Sequence, residues 1–296
     1  MAKILIVGSG VVGTATGRGL HQAGHDVAFV DVLPEKVQQL RNQGFSAQAS
    51  VALDEFPTFI FLTLPTPQRG RRYDLAALSD GVAAVGSSIA GSPASHTVVV
   101  RSTVPPGTTE DLVQPLLEAE SGKLLGNGFE LACNPEFLRA VSADDDFRNP
   151  WMTVIAARDT QTRAKLGDLL SPFGGQLRFF DNPATAELIK CAHNIFNAAK
   201  ISFWNEMWLA ASSMGIDLAD VSSTVALSAE GSFNPQYGIR GGAAYGGACL
   251  PKDTNGFLGF AADRGLAMPL LEAVVATNER IAKQEITALV GQPSAA

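Results

Sequence analysis

The sequence is poor in cysteine and has no cluster of basic residues. Its three cysteines, Cys133, Cys191 and Cys249, are odd in number and widely spaced, which does not suggest a disulfide framework. We therefore expect a reducing, cytoplasmic setting. Lysine and arginine together number 22 against 29 acidic residues, for a net charge of -7, and they are scattered. Without a basic stripe, nucleic acid and anionic membrane surfaces are poor candidate partners.

Long apolar runs and metal-ligand patterns are also missing. No apolar run reaches the roughly 20 residues that a membrane-spanning helix needs. The first residues lead directly into an apolar run, without the successive zones of a signal peptide. The four histidines have no ligand-like spacing, so no metal site is predicted. What is present is a chain of 296 residues, 46% hydrophobic, which is long enough for two domains.

Short apolar runs alternate with longer segments in the first part of the chain. We predict strands at 4–7, 26–30, 59–64, 97–101 and 130–133. This alternation is typical of the α/β class, and we expect a Rossmann-type, doubly wound parallel sheet over residues 1–182. The pattern then changes, with helices predicted at 184–214 and 268–290 and a glycine-rich loop at 228–253. We expect an α-helical central or dimerisation domain over residues 183–296.

A glycine motif, Gly8-Ser9-Gly10-Val11-Val12-Gly13, directly follows the first predicted strand. The first two glycines allow a tight turn and close approach of a pyrophosphate, and the third lets the next helix pack on the sheet. Asp31 ends the second predicted strand, where a carboxylate accepts ribose hydroxyls and repels a 2′-phosphate. The motif predicts NAD in preference to NADP. The alternative is a glycine turn beside an exposed aspartate with no ligand.

A second glycine-rich motif, Gly246-Gly247-Ala248-Cys249-Leu250-Pro251-Lys252-Asp253, contains a thiol followed closely by an amine and a carboxylate. This combination suits covalent catalysis at a carbonyl carbon. A hydride acceptor and a nucleophilic thiol together describe an enzyme that oxidises an alcohol past the aldehyde, through a thioester, to an acid. The alternative is a small, buried and inert cysteine that only serves packing.

Four further motifs follow predicted strands or lie on the long predicted helix. They are Leu64-Pro65-Thr66-Pro67, Ser102-Thr103-Val104-Pro105-Pro106-Gly107-Thr108-Thr109, Asn134-Pro135-Glu136-Phe137-Leu138-Arg139, and Glu187-x-x-Lys190-x-x-x-Asn194 followed by Lys200-Ile201-Ser202-Phe203-Trp204-Asn205-Glu206. In this order, with the glycine and cysteine motifs, the chain resembles the UDP-glucose/GDP-mannose dehydrogenase family. The members of that family are NAD-dependent four-electron oxidoreductases that make uronic acids from nucleotide sugars.

The resemblance implies catalytic roles at matching positions. Cys249 would be the nucleophile, Lys190 and Asn194 would stabilise an oxyanion, and Asp253 would take part in acid/base chemistry. Thr103 and Glu136 would position the water that resolves the thioester. From the residues alone, two purely structural alternatives remain open. Lys190 and Asn194 could belong to a solvated helix face, and Glu136 could cap a helix beginning near Phe137.

The resemblance also implies the cofactor, the substrate and the assembly. NAD would be the cofactor, a sugar or nucleotide sugar the substrate, and the protein a homodimer formed partly through the long helix. The cofactor-binding residues would be Gly8, Gly10, Val11, Val12, Gly13, Asp31, Thr66 and Thr103.

The sequence departs from the family pattern in two places. Trp151-Met152 follow Phe147-Arg148-Asn149-Pro150, where the family has Asp-Arg. Family members also have a third domain that grips the nucleotide, whereas this sequence ends at Ala296, soon after a family-like Thr277-Asn278-Glu279-Arg280. The residues leave open whether the short form is natural. The resemblance implies that a protein without this domain would bind UDP-glucose weakly, because the binding energy of the nucleotide would be lost.

Two other functions stay open at this point. The first is a two-electron dehydrogenase of the 3-hydroxyacid and 6-phosphogluconate type, which shares the lysine-bearing helix but has no use for Cys249. The second is a catalytically idle, cofactor-binding dimerisation partner of a longer enzyme. The amount of NADH formed per product separates the first from a four-electron enzyme, and absence of turnover indicates the second.

Overall fold

The structure is a computed structural model that describes residues 1–228, 234, 237–238 and 243–283. The chain divides into two compact units, Met1–Asn194 and Ile195–Ala296. The division falls inside the longest helix.

The first unit is built on an eight-stranded, mostly parallel sheet that also carries a small hairpin on one connection. The strands in chain order, with the hairpin as β5 and β6, are β1 Lys3–Val7, β2 Asp26–Val30, β3 Ser46–Gln48, β4 Thr58–Leu62, β5 Gln68–Arg69, β6 Arg72–Tyr73, β7 His96–Val100, β8 Phe129–Cys133, β9 Met152–Ala156 and β10 Gln176–Phe180. The spatial order in the eight-stranded sheet is β10-β9-β8-β7-β4-β1-β2-β3. Within this sheet only the pairing of β8 with β9 is antiparallel. The order reverses between β1 and β4, which is where such sheets bind ligands.

Helices cover both faces of this sheet. They are α1 Val11–Gln22, α2 Pro34–Asn42, α3 Ala76–Gly91, α4 Gln114–Ser121, α5 Ala143–Arg148, α6 Thr160–Leu170 and α7 Pro183–Ser213. Because successive side chains of a strand point to opposite faces, Ile4 and Ile6 join one buried apolar cluster while Leu5 and Val7 join the other. Burial on both faces explains why these strands are continuous apolar runs in the sequence.

The five predicted strands are present as β1, β2, β4, β7 and β8, and the predicted α/β fold class is confirmed. The sequence analysis missed the hairpin and the strands β3, β9 and β10. Two of these misses have a simple physical cause. β3 has only three residues with one buried side chain, and β10 is an edge strand without a buried side chain. Such strands lack the apolar run that identifies a buried parallel strand.

The second unit is helical where it is described. It contains the later part of α7 and the helices α8 Leu218–Ser228, α9 Leu250–Ala262 and α10 Pro269–Ala282. Glu206 of α7 is buried and accepts hydrogen bonds from the backbone N–H groups of Leu270 (2.6 Å) and Leu271 (3.2 Å). These are two of the N–H groups that a helix leaves unpaired in its first turn. The glutamate that closes the Lys200–Glu206 motif therefore caps α10.

Two boundary predictions for this unit need correction. The predicted loop at 228–253 overlaps α8 by one residue, and its last four residues belong to α9, which has Pro251 in its first turn. Proline is favoured there because the N–H that it lacks has no intrahelical partner. The predicted helix at 268–290 is observed as Pro269–Ala282. Outside the described residues lie 229–233, 235–236 and 239–242 of the glycine-rich loop, residues 284–290, and the C-terminal residues 291–296.

Candidate functional site

One large cleft opens at the carboxyl ends of β1, β4 and β7. It has a volume of about 830 Å³ and lies beside the point where the strand order reverses. Most of the residues predicted to bind the cofactor line it. They are Gly8, Gly10, Val11, Val12, Asp31, Thr66 and Thr103, and the predicted catalytic Glu136 lines it as well. The structure therefore brings the predicted cofactor residues together, with the exception of Gly13.

The three glycines of the turn have different local requirements. Gly8 has a φ of +97°, and a Cβ on it would lie 2.7 Å from the Thr63 carbonyl oxygen. A Cβ on Gly13 would lie 2.0 Å from the Gly8 carbonyl oxygen and 2.5 Å from Thr63 Oγ1. Gly10 has an ordinary φ of -66°, and a Cβ there would have no neighbour within 4 Å. The fold requires glycine at positions 8 and 13, whereas at position 10 it leaves open space.

That open space lies at the start of α1, which has no side-chain cap. The first backbone N–H groups of a helix lack intrahelical partners and attract anions. An uncapped helix start with a glycine before it thus fits the pyrophosphate of a dinucleotide. Gly10 is the position at which a side chain would fill this space.

Alanine substitutions at Gly10 and Gly13 should separate binding from folding. Gly10→Ala is expected to keep its melting temperature and to lose most of its NAD affinity, because the added methyl group occupies only the ligand's space. Gly13→Ala is expected to lower the melting temperature, since its methyl group collides with backbone, and overpacking of this kind costs roughly 1–3 kcal/mol. Thermal unfolding and calorimetric titration with NAD measure the two effects. Unimpaired NAD binding by Gly10→Ala would contradict this assignment.

Asp31 is held in place by the glycine turn itself. Its Oδ2 accepts hydrogen bonds from the Ser9 N–H (2.8 Å) and the Ser9 hydroxyl (2.5 Å), and its Oδ1 accepts one from the Leu33 N–H (3.0 Å). Burial opposes the charge, but the hydrogen bonds outweigh it and lower the pKa of the Asp31 carboxyl below its ordinary value. A carboxylate has about four acceptor sites, and the one left on Oδ1 can still accept a hydrogen bond from a ribose hydroxyl. Sequence reasoning missed Ser9, which aims this carboxylate.

Replacing Asp31 should weaken NAD binding and reduce the preference for NAD over NADP. One hydrogen bond to a charged acceptor, at about 1.5–3 kcal/mol, corresponds to a loss of affinity on the order of 10–10²-fold. We expect this for Asp31→Ala, with Asp26→Ala at the exposed start of the same strand as the matched control. Calorimetric titration with both cofactors measures it. Equal affinity of the unmodified protein for NAD and NADP would refute the role given to Asp31.

The other wall of the cleft joins three loops and a helix. Thr66 Oγ1 donates a hydrogen bond to the Thr103 carbonyl oxygen at 2.6 Å, which ties the loops after β4 and β7 together. Glu136, after β8, lies with its Oε1 3.0 Å from the Nζ of Lys190 on α7. The two side chains are only 12% and 6% exposed. The carboxylate predicted to position water and the amine predicted to stabilise an oxyanion therefore form a nearly buried ion pair at the edge of the cleft.

These contacts decide the two alternatives that the sequence left open. Lys190 is buried and so is not part of a solvated face, whereas Asn194, one turn further along α7, is exposed. No helix begins at Phe137, because the next helical turn starts at Ala140, so the alternative that Glu136 only caps a helix is wrong. Glu136 still accepts a hydrogen bond from the Leu138 N–H at 2.6 Å, which holds its carboxylate toward Lys190.

Arg101 adds a buried positive charge that the sequence analysis did not single out. It follows β7, donates from its guanidinium to Asn134 Oδ1, and lines the cleft beside Thr103 and Glu136. Burial lowers the pKa of Arg101 to about 10, although the Glu136 carboxylate acts in the opposite direction. Arg101 and Lys190 thus give this wall two cations near one carboxylate, which favours negative charge on a bound group.

Trp151, where the chain departs from the family pattern, packs beside this pair. Its ring lies 5.6 Å from that of His193, which also makes an edge contact with Phe137 at 5.1 Å. Burial, followed by the Lys190 ammonium, lowers the pKa of His193. The departure therefore adds an exposed aromatic ring next to the His193–Phe137 contact, outside the large cleft.

Cys249 and Asp253 belong to the second unit. Cys249 immediately precedes α9 and its side chain is exposed, so the alternative of a buried packing cysteine is wrong. The Asp253 carboxylate pairs with the neighbouring Lys252 ammonium at 2.5 Å, and both side chains are exposed. Cys133, by contrast, is buried, and burial raises the pKa of its thiol, as expected of an inert structural cysteine.

The cysteine loop has an anchor that sequence reasoning overlooked. Asn278 of α10 accepts a hydrogen bond from the Tyr245 N–H through Oδ1 (2.7 Å) and donates one to the Tyr245 carbonyl oxygen through Nδ2 (3.1 Å). This pair of bonds fixes the backbone just before the two glycines that lead to Cys249. The Thr277–Arg280 segment, noted above only as resembling the family, therefore has a local structural role.

Within the described part of the chain, no group of three or more histidine, cysteine or acidic side chains is arranged to hold a metal ion. In the same residues, no helix has the length and apolar character needed to cross a membrane.

Family models match both parts of the chain. The model described as "UDP-glucose/GDP-mannose dehydrogenase family, NAD binding domain" matches residues 44–174, and the model of the central domain of the same family matches residues 184–280. The chain belongs to this family. The resemblance inferred from the motifs is thereby confirmed, and so is NAD as the cofactor. A model of ketopantoate reductase PanE/ApbA also matches residues 4–75, which include the glycine turn.

Relatives in this family include enzymes with two different nucleotide sugars in their names. A UDP-glucose 6-dehydrogenase of Haloferax volcanii is 33% identical over 304 residues, covering 94% of this chain and 69% of the relative. A GDP-mannose 6-dehydrogenase of Pseudomonas aeruginosa is 34% identical over 306 residues, covering 93% and 68%. The chain thus spans somewhat more than two thirds of these relatives.

Solved structures agree with the family. A ternary complex of GDP-mannose dehydrogenase from Pseudomonas aeruginosa has a TM-score of 0.89 at 30% identity, covering 98% of this chain and 71% of that one. A Streptomyces aurantiacus imine reductase has a TM-score of 0.72 at 15% identity, covering 98% and 100%, and shows only a shared fold. A Rossmann-type domain followed by a helical central domain is therefore the architecture of this family member.

Proposed function

We propose that the chain oxidises the primary alcohol of a sugar, as in C6 of a nucleotide sugar, to a carboxylate. The observation that carries this proposal is the nearly buried Glu136–Lys190 pair at the edge of the NAD cleft. A carboxylate that can orient water and an ammonium that can stabilise an oxyanion are suited to acyl chemistry beside a hydride acceptor. The relatives named for UDP-glucose and GDP-mannose support the substrate class.

The cofactor residues have complementary tasks in this proposal. The glycine turn and the start of α1 hold the pyrophosphate, and Asp31 binds the adenosine ribose. Thr66 and Thr103, joined by their hydrogen bond, line the cleft toward the reacting end. When bound, NAD supplies the hydride acceptor for both oxidations, so two molecules of NAD are consumed per acid.

The covalent steps are assigned to Cys249. Its thiolate sulfur bonds to the carbonyl carbon of the aldehyde, and the carbonyl electron pair moves to oxygen, which takes a proton and so gives a thiohemiacetal. Loss of a hydride and a proton converts this adduct into a thioester. A water molecule then adds to the thioester carbon, the C–S bond breaks, and carboxylic acid and thiol are released.

The other predicted residues support these steps. Lys190 and Asn194 stabilise the oxyanion of each adduct, and Asp253 exchanges protons with the reacting groups. Thr103 and Glu136 hold the water that attacks the thioester. We propose that Cys249 and Asp253 take part in the same reaction as these groups.

We further propose that the NAD-binding domain ends at residue 182 and that the central domain begins at residue 183. We also propose that the central domain forms a homodimer. Large apolar side chains are exposed along the later part of α7, and contiguous exposed apolar surface marks interaction sites. They are Ile195, Phe196, Ile201, Phe203, Trp208 and Leu209. A cytoplasmic setting, proposed from cysteine usage, fits a reactive free thiol.

A substrate screen tests the proposed function. The chain is incubated with NAD and, in separate reactions, UDP-glucose, GDP-mannose and nucleotide-free sugars, and both NADH and sugar acid are measured. We expect acid from at least one sugar nucleotide. NADH with only an aldehyde or ketone as product would indicate the two-electron dehydrogenase instead. The absence of NADH with every sugar, with NAD binding intact, would favour the idle dimerisation partner.

A further inference from the structure

Glu187 is a buried carboxylate to which the reaction outlined above gives no role. It lies on α7 one helical turn before Lys190, and it is only 1% exposed. Its Oε2 accepts a hydrogen bond from the Gly107 N–H (2.5 Å), and its Oε1 accepts two from Thr109, the N–H (2.7 Å) and the hydroxyl (2.6 Å). Among the described residues no cation pairs with it. Neutral donors of one loop thus satisfy a buried charge.

The donors lie on the loop that carries Thr103. This loop follows β7 and ends where a π-helical turn, Thr109–Val113, leads into α4. Its first part is fixed at the cleft by the hydrogen bond between Thr66 and the Thr103 carbonyl oxygen. Its last part is fixed by Glu187. The carboxylate therefore connects α7 to the loop after β7.

The Lys190 side chain projects from the same face of α7 as that of Glu187. Residues one turn apart share a helix face, so the place of Glu187 determines where Lys190 emerges. From there Lys190 reaches Glu136, which follows the neighbouring strand β8. The helix is thus pinned at two consecutive turns, once to the loop that bears Thr103 and once to the loop that bears Glu136.

We propose that Glu187 is a positioning residue, whose carboxylate locks α7 against the 102–109 loop and thereby sets Lys190 relative to Thr103 and Glu136. This inference rests on the proposed function, because it is that reaction which needs the three groups in register. A displacement of about 1 Å can reduce a rate on the order of 10²-fold, so a rigid connection of this kind has a large effect.

The energetic cost of the arrangement agrees with a functional role. A buried carboxylate is desolvated, and this burial raises the pKa of Glu187 even though the hydrogen bonds from Thr109 and Gly107 act in the opposite direction. A carboxyl group whose folded-state pKa is raised reduces stability as the pH rises through the interval above its ordinary pKa. Helix packing alone could be achieved without this cost, by an apolar contact.

Three substitutions distinguish the effect of the length of the Glu187 side chain from the effect of its charge. Glu187→Asp keeps the charge but is one methylene shorter, so it no longer spans to both donors. Glu187→Gln keeps the length and one acceptor but turns an amide N–H₂ toward the Gly107 N–H or the Thr109 donors. Thr109→Val removes only the hydroxyl. Glu118→Gln is the matched control, since Glu118 of α4 is a half-buried glutamate that also accepts a backbone N–H, from Leu125 at 3.1 Å.

Steady-state kinetics and thermal unfolding of these variants test the proposal. We expect kcat to fall on the order of 10–10²-fold in both Glu187 variants and less in Thr109→Val, with KM for NAD nearly unchanged. The control should keep its kcat. A merely structural role would instead lower the melting temperature while kcat of the folded protein stayed normal. Normal kcat in Glu187→Asp would overturn the proposal, because charge alone would then suffice.

A second measurement does not depend on turnover. Lys190 is buried beside Glu136, so acylation of its amine, followed by peptide mass spectrometry, should be slow in the unmodified protein and faster in both Glu187 variants. An unchanged labelling rate would overturn the proposal even if no sugar were oxidised. Faster labelling in a protein that oxidises no sugar would instead contradict the proposed function and leave the locking of α7 supported.

Discussion

Cys249→Ala is expected to form no sugar acid. Without the sulfur nucleophile the aldehyde cannot become a thioester, and loss of a covalent nucleophile reduces turnover by several orders of magnitude, on the order of 10³-fold or more. NAD affinity should stay normal, because the cofactor cleft is formed by residues of the first unit. Acid measured by mass spectrometry, together with calorimetric titration of NAD, gives both quantities.

Two further variants sharpen this result. Cys249→Ser should accumulate an ester-linked sugar on the protein, because an alkoxide leaves less readily than a thiolate, and intact-protein mass spectrometry detects the added mass. Cys191→Ser is the control, since Cys191 is a half-buried cysteine whose thiol donates to the Val104 carbonyl oxygen, a bond that a hydroxyl also makes. Acid formed by Cys249→Ala at the original rate would refute the nucleophile and favour the two-electron dehydrogenase.

Lys190→Met is expected to lose both activity and stability. Removal of one oxyanion donor costs about 10²–10³ in kcat. Removal of one partner of a buried ion pair costs roughly 3–5 kcal/mol of unfolding free energy, because the other charge is left uncompensated. Here that charge is the Glu136 carboxylate, which Arg101 offsets only in part. Denaturant unfolding and steady-state kinetics measure the two losses.

The double variant Lys190→Met/Glu136→Gln separates these effects. Since it removes both charges of the pair, much of the lost stability should return. Activity should stay low because both chemical groups are missing. Recovery of activity along with stability would show that the pair has only a structural function, and the roles proposed for Lys190 and Glu136 would have to be abandoned.

The parts of the site that are local in sequence could be predicted. The glycine turn and Asp31 belong to one strand-helix-strand unit, so their spacing alone indicates a dinucleotide. The long helix α7 was predicted to within one residue at each end, because a long segment nearly free of glycine and proline has a strong helical signal.

The parts that depend on tertiary contacts could not be predicted in this way. The sequence around Glu136 does not indicate that Lys190 is its ion-pair partner. The sequence around Glu187 does not indicate that Gly107 and Thr109 donate hydrogen bonds to it. Ser9 occupies a position of the glycine motif that the motif itself leaves free. The antiparallel pairing of β8 and β9 rests on a single residue pair, which gives no local pattern.

The number of NADH molecules formed per molecule of sugar acid tests the central claim most directly. The unmodified chain is given excess NAD and a limiting amount of the sugar nucleotide that it oxidises, and the reaction is followed to completion by absorbance and mass spectrometry. A thiol-mediated four-electron oxidation predicts two NADH for each acid, with no aldehyde remaining in solution. One NADH for each molecule consumed, with an aldehyde or ketone as the end product, would contradict it.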